Sequence, residues 1–181
     1  VVRLSAQEAP VGSPHTIVGH SVSGIVAHAD GTSLLVHRLP DEMDLVRLEE
    51  DGSERFSHRL VGGNDHGTEG DKYIVTAHPH YGRLRWDGSR YVAYVGHSQN
   101  WGSLGEHQGD LLWMLDETGA RLDGGWDWGC SHSWNARLVQ HSTLGTVFPI
   151  CESDAYPVSG VVANNATSVV PGPAILGDAV E

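Results

Sequence analysis

The sequence predicts an all-β chain assembled from four-stranded antiparallel units. Three observations carry that expectation. Short runs alternate apolar and polar residues with the period of a strand, and an amphipathic helical period is almost absent. Asp-Gly and Thr-Gly pairs punctuate these runs as tight turns. The chain also repeats itself, and self-similarity of this kind fixes architecture more firmly than any single segment.

The first repeated pattern is a strand, a turn and a second strand. Aligning "GHSVSGIVAHADGTSLLVHR", from Gly19, with "AHPHYGRLRWDGSRYVAYVG", from Ala77, sets His20 on His78, Gly24 on Gly82 and Val26 on Leu84. After a one-residue gap, Asp30-Gly31-Thr32-Ser33 falls on Asp87-Gly88-Ser89-Arg90. A third copy, "CSHSWNARLVQHSTLGTVFPIC" from Cys130, sets His132 on His78 and Leu138 on Leu84, although its turn has lost the Asp-Gly. A second pattern lies between these hairpins: "LVRLEEDGSER" from Leu45 matches "LWMLDETGARL" from Leu112, and "VVRLSAQEAP" matches its start.

Two patterns of two strands make a unit of four. Units of about 40 to 50 residues with four strands are the mark of a β-propeller, and residues 1–155 resemble bacterial β-propeller repeat proteins in architecture. The insertions "GGNDHGTEGDK" (62–72) and "QNWGSLGEHQG" (99–109) account for the longer spacing. In this frame Val1 falls at the third strand of a blade and the pattern stops near Cys151, giving about two whole blades and two partial ones. Because propellers close with four to eight blades, the resemblance implies a ring completed by a second chain, a symmetry mate or another segment. Residues 156–181, low in charge and carrying Pro171 and Pro173, are expected to form a surface extension or a linker cut during maturation.

Composition narrows the partners. Among 181 residues, 23 acidic against 11 basic give a formal charge of −12, which argues against a nucleic-acid or anionic-membrane surface. No run of about 18 apolar residues occurs, so no membrane-spanning helix is expected. Val1 stands where an initiating Met would, with no basic segment leading into an apolar one, so a processed or truncated chain is expected.

Cys130 and Cys151 bracket the third hairpin, and direct opposition would centre that hairpin between Gln140 and His141. Directly opposed antiparallel residues come within disulfide range. A bridge here would contribute about 3 kcal/mol and would point to an extracellular, periplasmic or cell-surface setting. Two buried free thiols are the alternative. Asn165-Ala166-Thr167 has the form of a glycosylation sequon, a triplet that also arises by chance.

The 12 His residues supply the candidate chemistry. If His20, His78 and His132 hold equivalent places in successive blades, three imidazoles converge near the axis. Imidazole suits zinc, copper, manganese or iron, and three of them leave a coordination position open. The alternative is structural, since a Gly-His at a WD-repeat blade junction is a hydrogen-bonding strut and His20 follows Gly19. A second cluster, His78, His80, His97 and His107 with Asp87 and Glu106 nearby, could hold an off-axis metal or a general base, or could be solvated surface.

Asp65, Glu69 and Asp71 match part of a calcium-loop template that fails at Gly67 and Thr76, leaving a weak calcium site or a polar loop. Trp126 and Trp128 alternate around Asp127 and would share one strand face, as a stacking platform for a sugar or as packing between blades. No nucleotide-binding loop, nucleophile elbow or zinc-protease helix is present.

The function expected from these residues is that of a secreted or surface-exposed binding module that assembles with a partner and takes a metal or glycan ligand. A metal-dependent enzyme, a polysaccharide lyase or oxidoreductase with a His-lined axial site, is the alternative from another class. A structural assembly subunit is the third. Fold alone does not choose among them.

Overall fold

The computed structural model describes residues 3–4, 10–11, 14–19, 21–38, 42–61, 74–100, 106–124, 136–140, 143, 147–152, 157–162 and 169–171. Among them the ordered elements are all strands, and no helix is long and apolar enough to cross a membrane. Strands β3 (Ser21–His28), β4 (Gly31–Arg38), β5 (Glu42–Glu49) and β6 (Glu54–Val61) pair in chain order as one antiparallel sheet. A second sheet runs β7 (Ile74–Trp86), β8 (Tyr91–Asn100), β9 (Glu106–Leu115) and β10 (Arg121–Gly124). A third runs β11 (Ala136–Gln140), β12 (Val147–Glu152), β13 (Pro157–Val162) and β14 (Val169–Pro171), and β1 (Arg3–Leu4) pairs with β2 (Pro10–Val11) alone.

The turns follow from local chemistry. Asp51 and Asp116, each in the turn between the third and fourth strands of its sheet but at different places in it, accept hydrogen bonds from the backbone N–H of Ser53 and Thr118, respectively, two residues on. The glycines that hold matching places in these turns, Gly52 at φ 84° and Gly119 at φ 81°, donate to the carbonyls of Glu49 and Asp116 and take the left-handed backbone that side chains disfavour. The two first hairpins are not identical. Ala29 and Asp30 alone join β3 to β4, whereas Asp87 to Arg90 join β7 to β8, so His28 and Trp86 hold corresponding last places in their strands.

Burial explains why the middle strands are so apolar. In β5 every residue from Met43 to Leu48 is buried, because both faces of the sheet are covered. One face, with Leu35, Leu45 and Leu60, packs against Leu84, Val95 and Leu111 of the second sheet. The other face, with Leu34, Val36, Val46 and Leu48, is packed by Ile17. Each such side chain withdrawn from water contributes about 1.5–3 kcal/mol before chain entropy is counted.

The sheets meet along their first strands, β3 against β7 and β7 against β11. Glycine makes the approach close: a Cβ on Gly24 would lie 3.0 Å from Leu84 Cβ, and one on Gly82 would collide with Ser23 Oγ. Two contacts lie farther along the same junction. His58 Nε2–H donates to the Thr118 carbonyl at 3.0 Å, and Arg121, whose guanidinium stacks over Trp113 of its own sheet, donates from Nη2 to the Leu60 carbonyl at 3.4 Å.

Two expectations change here. In the third hairpin Gln140 pairs with Val147 and Ala136 lies opposite Cys151, so the hairpin centres between Thr143 and Leu144. Six residues, 141–146, lie between the strands in sequence, and the register that would have set Cys130 opposite Cys151 is not the one formed. The stretch from Pro157 to Pro171, expected to belong to an extension, supplies the third and fourth strands of the third sheet.

Candidate functional site

A groove of about 600 Å³ opens between the first and second sheets where the hairpin tips meet. His28 and Asp30 reach it from the end of β3 and its turn, Arg47 from β5, Arg55 and Phe56 from β6. Trp86 and Tyr91 border it from the facing ends of β7 and β8, and Glu117 and Thr118 from the turn before β10. The volume is that of a small-molecule site.

One wall is aromatic. Trp86 and Tyr91 lie 4.5 Å apart between ring centroids, and His28 meets both edge-on, at 5.3 Å and 5.8 Å. Polar atoms tie this wall together. His28 Nε2 is hydrogen-bonded to Ser33 Oγ at 2.9 Å, and Ser33 Oγ to the Tyr91 hydroxyl at 2.8 Å, so a chain of three polar groups crosses from one sheet to the other. Burial, with Arg47 nearby, pushes the His28 imidazole below its ordinary value, against the opposing pull of Asp30. The ring is accordingly held neutral, and burial pushes the Tyr91 hydroxyl up.

The other wall is charged. Asp30 accepts from Arg55 Nη2 at 2.8 Å and from Arg47, and the Arg55 hydrogen bond leads in bringing its carboxyl down to about 2. Arg55 also grips Glu49, with Nη2 2.7 Å from Oε2, and the Arg55 hydrogen bond holds that carboxyl below its usual range. Arg47 sits inside the buried run Met43–Leu48 of β5, where Asp44 is the other charged member, and its Nη1 meets no acceptor among the described residues. A guanidinium in that position is costly unless something anionic or polar faces it, and Asp30 is the group that does.

The residues singled out by sequence stand elsewhere. His97 is fully buried on β8, opposite Gly109 of β9 and Ala77 of β7. His78 and His80 lie where the β7 register shifts between Ala77 and Gly82; their side chains lie outside the described residues. Also outside are His20, His132, Asp65, Glu69, Asp71, Trp126, Trp128 and Cys130, as is the Cys151 side chain. Among the described residues no three of His, Cys, Asp and Glu are grouped to hold a metal ion.

Sequence reasoning missed His28, Asp30, Arg47, Arg55, Trp86 and Tyr91 as a group. Two signals pointed to them: aromatic residues flank the Asp87-Gly88 turn on both sides, and an Arg interrupts "LVRL" where a strand should be apolar. No family model, no curated protein and no solved structure matches this chain.

Proposed function

We propose that this chain is a binding module built of β-propeller blades, and that the groove between its first two sheets takes a carbohydrate ligand. The observation that carries the reading is Trp86, half-buried in a groove of about 600 Å³ whose described lining otherwise is polar apart from Phe56. An aromatic face accepts the C–H face of a sugar ring, while Asp30, Arg55, Glu117 and Thr118 offer donors and acceptors to its hydroxyls. The hydrogen-bonded chain His28–Ser33–Tyr91 fixes the aromatic wall in advance, which lowers the entropy lost on binding.

Three four-stranded sheets with their first strands side by side support the propeller part of the reading. A closed ring takes at least four blades, so a second chain, a symmetry mate or a further segment would complete it, with the β1–β2 pair as part of a blade. The expected setting is secreted or surface-exposed.

The test is tryptophan fluorescence against a panel of neutral and uronic oligosaccharides, with native mass spectrometry of the same protein. Saturable quenching that Trp86→Ala abolishes, in a protein that still melts cooperatively, is the expected result. A folded wild-type protein that no oligosaccharide in the panel quenches would remove the carbohydrate reading. A strictly single-chain mass would remove completion by a second chain.

A further inference from the structure

His28 Nε2, Ser33 Oγ and the Tyr91 hydroxyl form a triangle at the groove wall, and the places of their hydrogens follow from counting acceptors. Ser33 is fully buried and Tyr91 is 1 % exposed, so neither hydroxyl turns to water. The sides of the triangle are 2.8 Å from Ser33 to Tyr91, 2.9 Å from Ser33 to His28 and 3.3 Å from Tyr91 to His28. Among the described residues these three atoms bond only one another.

Two arrangements give both hydroxyl hydrogens an acceptor. Either Tyr91 donates to Ser33 and Ser33 to Nε2, or Tyr91 donates to Nε2 and Ser33 to Tyr91. Both use Nε2 as an acceptor, so the neutral imidazole carries its hydrogen on Nδ1. A hydrogen on Nε2 would leave one of the two buried hydroxyls with nothing to donate to, which costs the desolvation of that group. His28 is half-buried on the groove, and Nδ1 is not among the buried nitrogens that lack a partner, which leaves it open to whatever occupies the groove. The ring stands edge-on to Trp86 at 5.3 Å, so the donor lies close to the stacking face.

We propose that His28 is a ligand-binding residue of this groove, whose Nδ1–H donates a hydrogen bond to an acceptor oxygen of a sugar stacked on Trp86. The identity of the ligand rests on the carbohydrate reading; the place of the hydrogen does not. The fold fixes this group as a donor, whereas a hydroxyl could turn to give or to accept. It fits a ring oxygen, a glycosidic oxygen or an acetamido carbonyl, each of which only accepts. Because the hydrogen is placed before the ligand arrives, little orientational entropy is lost on binding.

Long-range proton–nitrogen NMR correlation of the isotope-labelled full chain at neutral pH tests the proposal, with the His28 ring identified by its absence from the His28→Gln spectrum. A protonated Nδ1 and an unprotonated Nε2 are expected. Tyr91→Phe should keep that pattern, because the Ser33 hydrogen still needs Nε2, and Ser33→Ala combined with Tyr91→Phe should lose it. The wild-type spectrum decides alone if the double variant does not fold. An oligosaccharide that quenches Trp86 should move the Nδ1 resonance, and His28→Phe should weaken its binding about fivefold, the scale of one hydrogen bond. A ring protonated on Nε2, or an Nδ1 that does not respond to a quenching oligosaccharide, overturns the proposal. The two failures are distinct: absence of quenching by every oligosaccharide removes the sugar as the partner whatever the tautomer, and the wrong tautomer removes the His28 donor whatever binds.

Discussion

Ser33 Oγ of the first sheet and the Tyr91 hydroxyl of the second are hydrogen-bonded at 2.8 Å in a buried position, across the junction that forms the groove. Both groups come from the beginnings of second strands, β4 and β8, so the bond ties the two sheets together at corresponding levels. Removing the hydroxyl leaves Ser33 Oγ still bonded to His28 Nε2 at 2.9 Å, and no buried group is orphaned. Tyr91→Phe is therefore expected to cost only about 0.5–1.5 kcal/mol. Denaturant unfolding measures it; an unchanged midpoint would mean that the bond does not hold the sheets together.

His28 supplies a pH dependence with a definite sign. Its imidazole in the folded protein lies below the ordinary 6.5, so the unfolded chain takes up a proton before the folded one does. Stability should fall as pH drops below about 6.5 and level off once the folded-state value is passed. Among the described residues, Asp30, Arg47 and Arg55 act on the ring by charge and Tyr91 touches it, with Glu117 farther along the same groove. Since the chain holds 12 His, the quantity to measure is the part of the pH slope that His28→Gln removes. An identical slope in wild type and variant would contradict the assignment.

Asp87 is the most heavily used carboxylate of the hairpin tips. It accepts from Ser89 N and Oγ, from Arg90 N, and from Arg90 Nε and Nη2. Burial alone would raise its pKa, but these bonds outweigh burial and hold it below the ordinary 3.8. Its contribution is therefore present above about pH 4 and lost as pH falls through the folded-state value. Asp87→Ala is expected to cost about 1–3 kcal/mol, and Asp87→Asn less, because an amide oxygen still caps the turn while the ion pair with Arg90 is lost. Thermal unfolding of both variants at neutral pH separates the two terms; equal losses would show that the ion pair carries the whole effect.

The strands and turns were legible because their causes are local. Asp51, Asp87 and Asp116 fold back on their own turns, and alternation marks which residues of β3 or β7 face inward. The groove was not legible in the same way, because it exists only where two sheets meet. His28 and Tyr91 lie far apart in the chain, and nothing near either one names the other. Attention to recurrent His selected His97, which is buried within the second sheet, and passed over His28, which corresponds to Trp86 and so does not recur. The third hairpin was misplaced for a related reason: the two cysteines were taken to oppose each other, whereas Ala136 lies opposite Cys151 and Gln140 opposite Val147.

The closeness of β3 and β7 can be tested at a single pair. A methyl on Gly82 would collide with Ser23 Oγ and lie 3.1 Å from both Ser23 Cβ and Leu35 Cδ1. Gly82→Ala should cost about 1–3 kcal/mol, the usual penalty of overpacking. Ser23→Ala alone should cost little, since the hydroxyl's contact is a long one of 3.8 Å to Met43 Sδ. Combined, the two changes should cost less than their sum, because the atom struck by the new methyl has been removed. Recovery should be partial, since Ser23 Cβ and Leu35 Cδ1 still crowd the site. Denaturant unfolding of the four proteins in this cycle should give a coupling of about 1 kcal/mol. Strict additivity would mean that β3 and β7 stand farther apart than the glycines require.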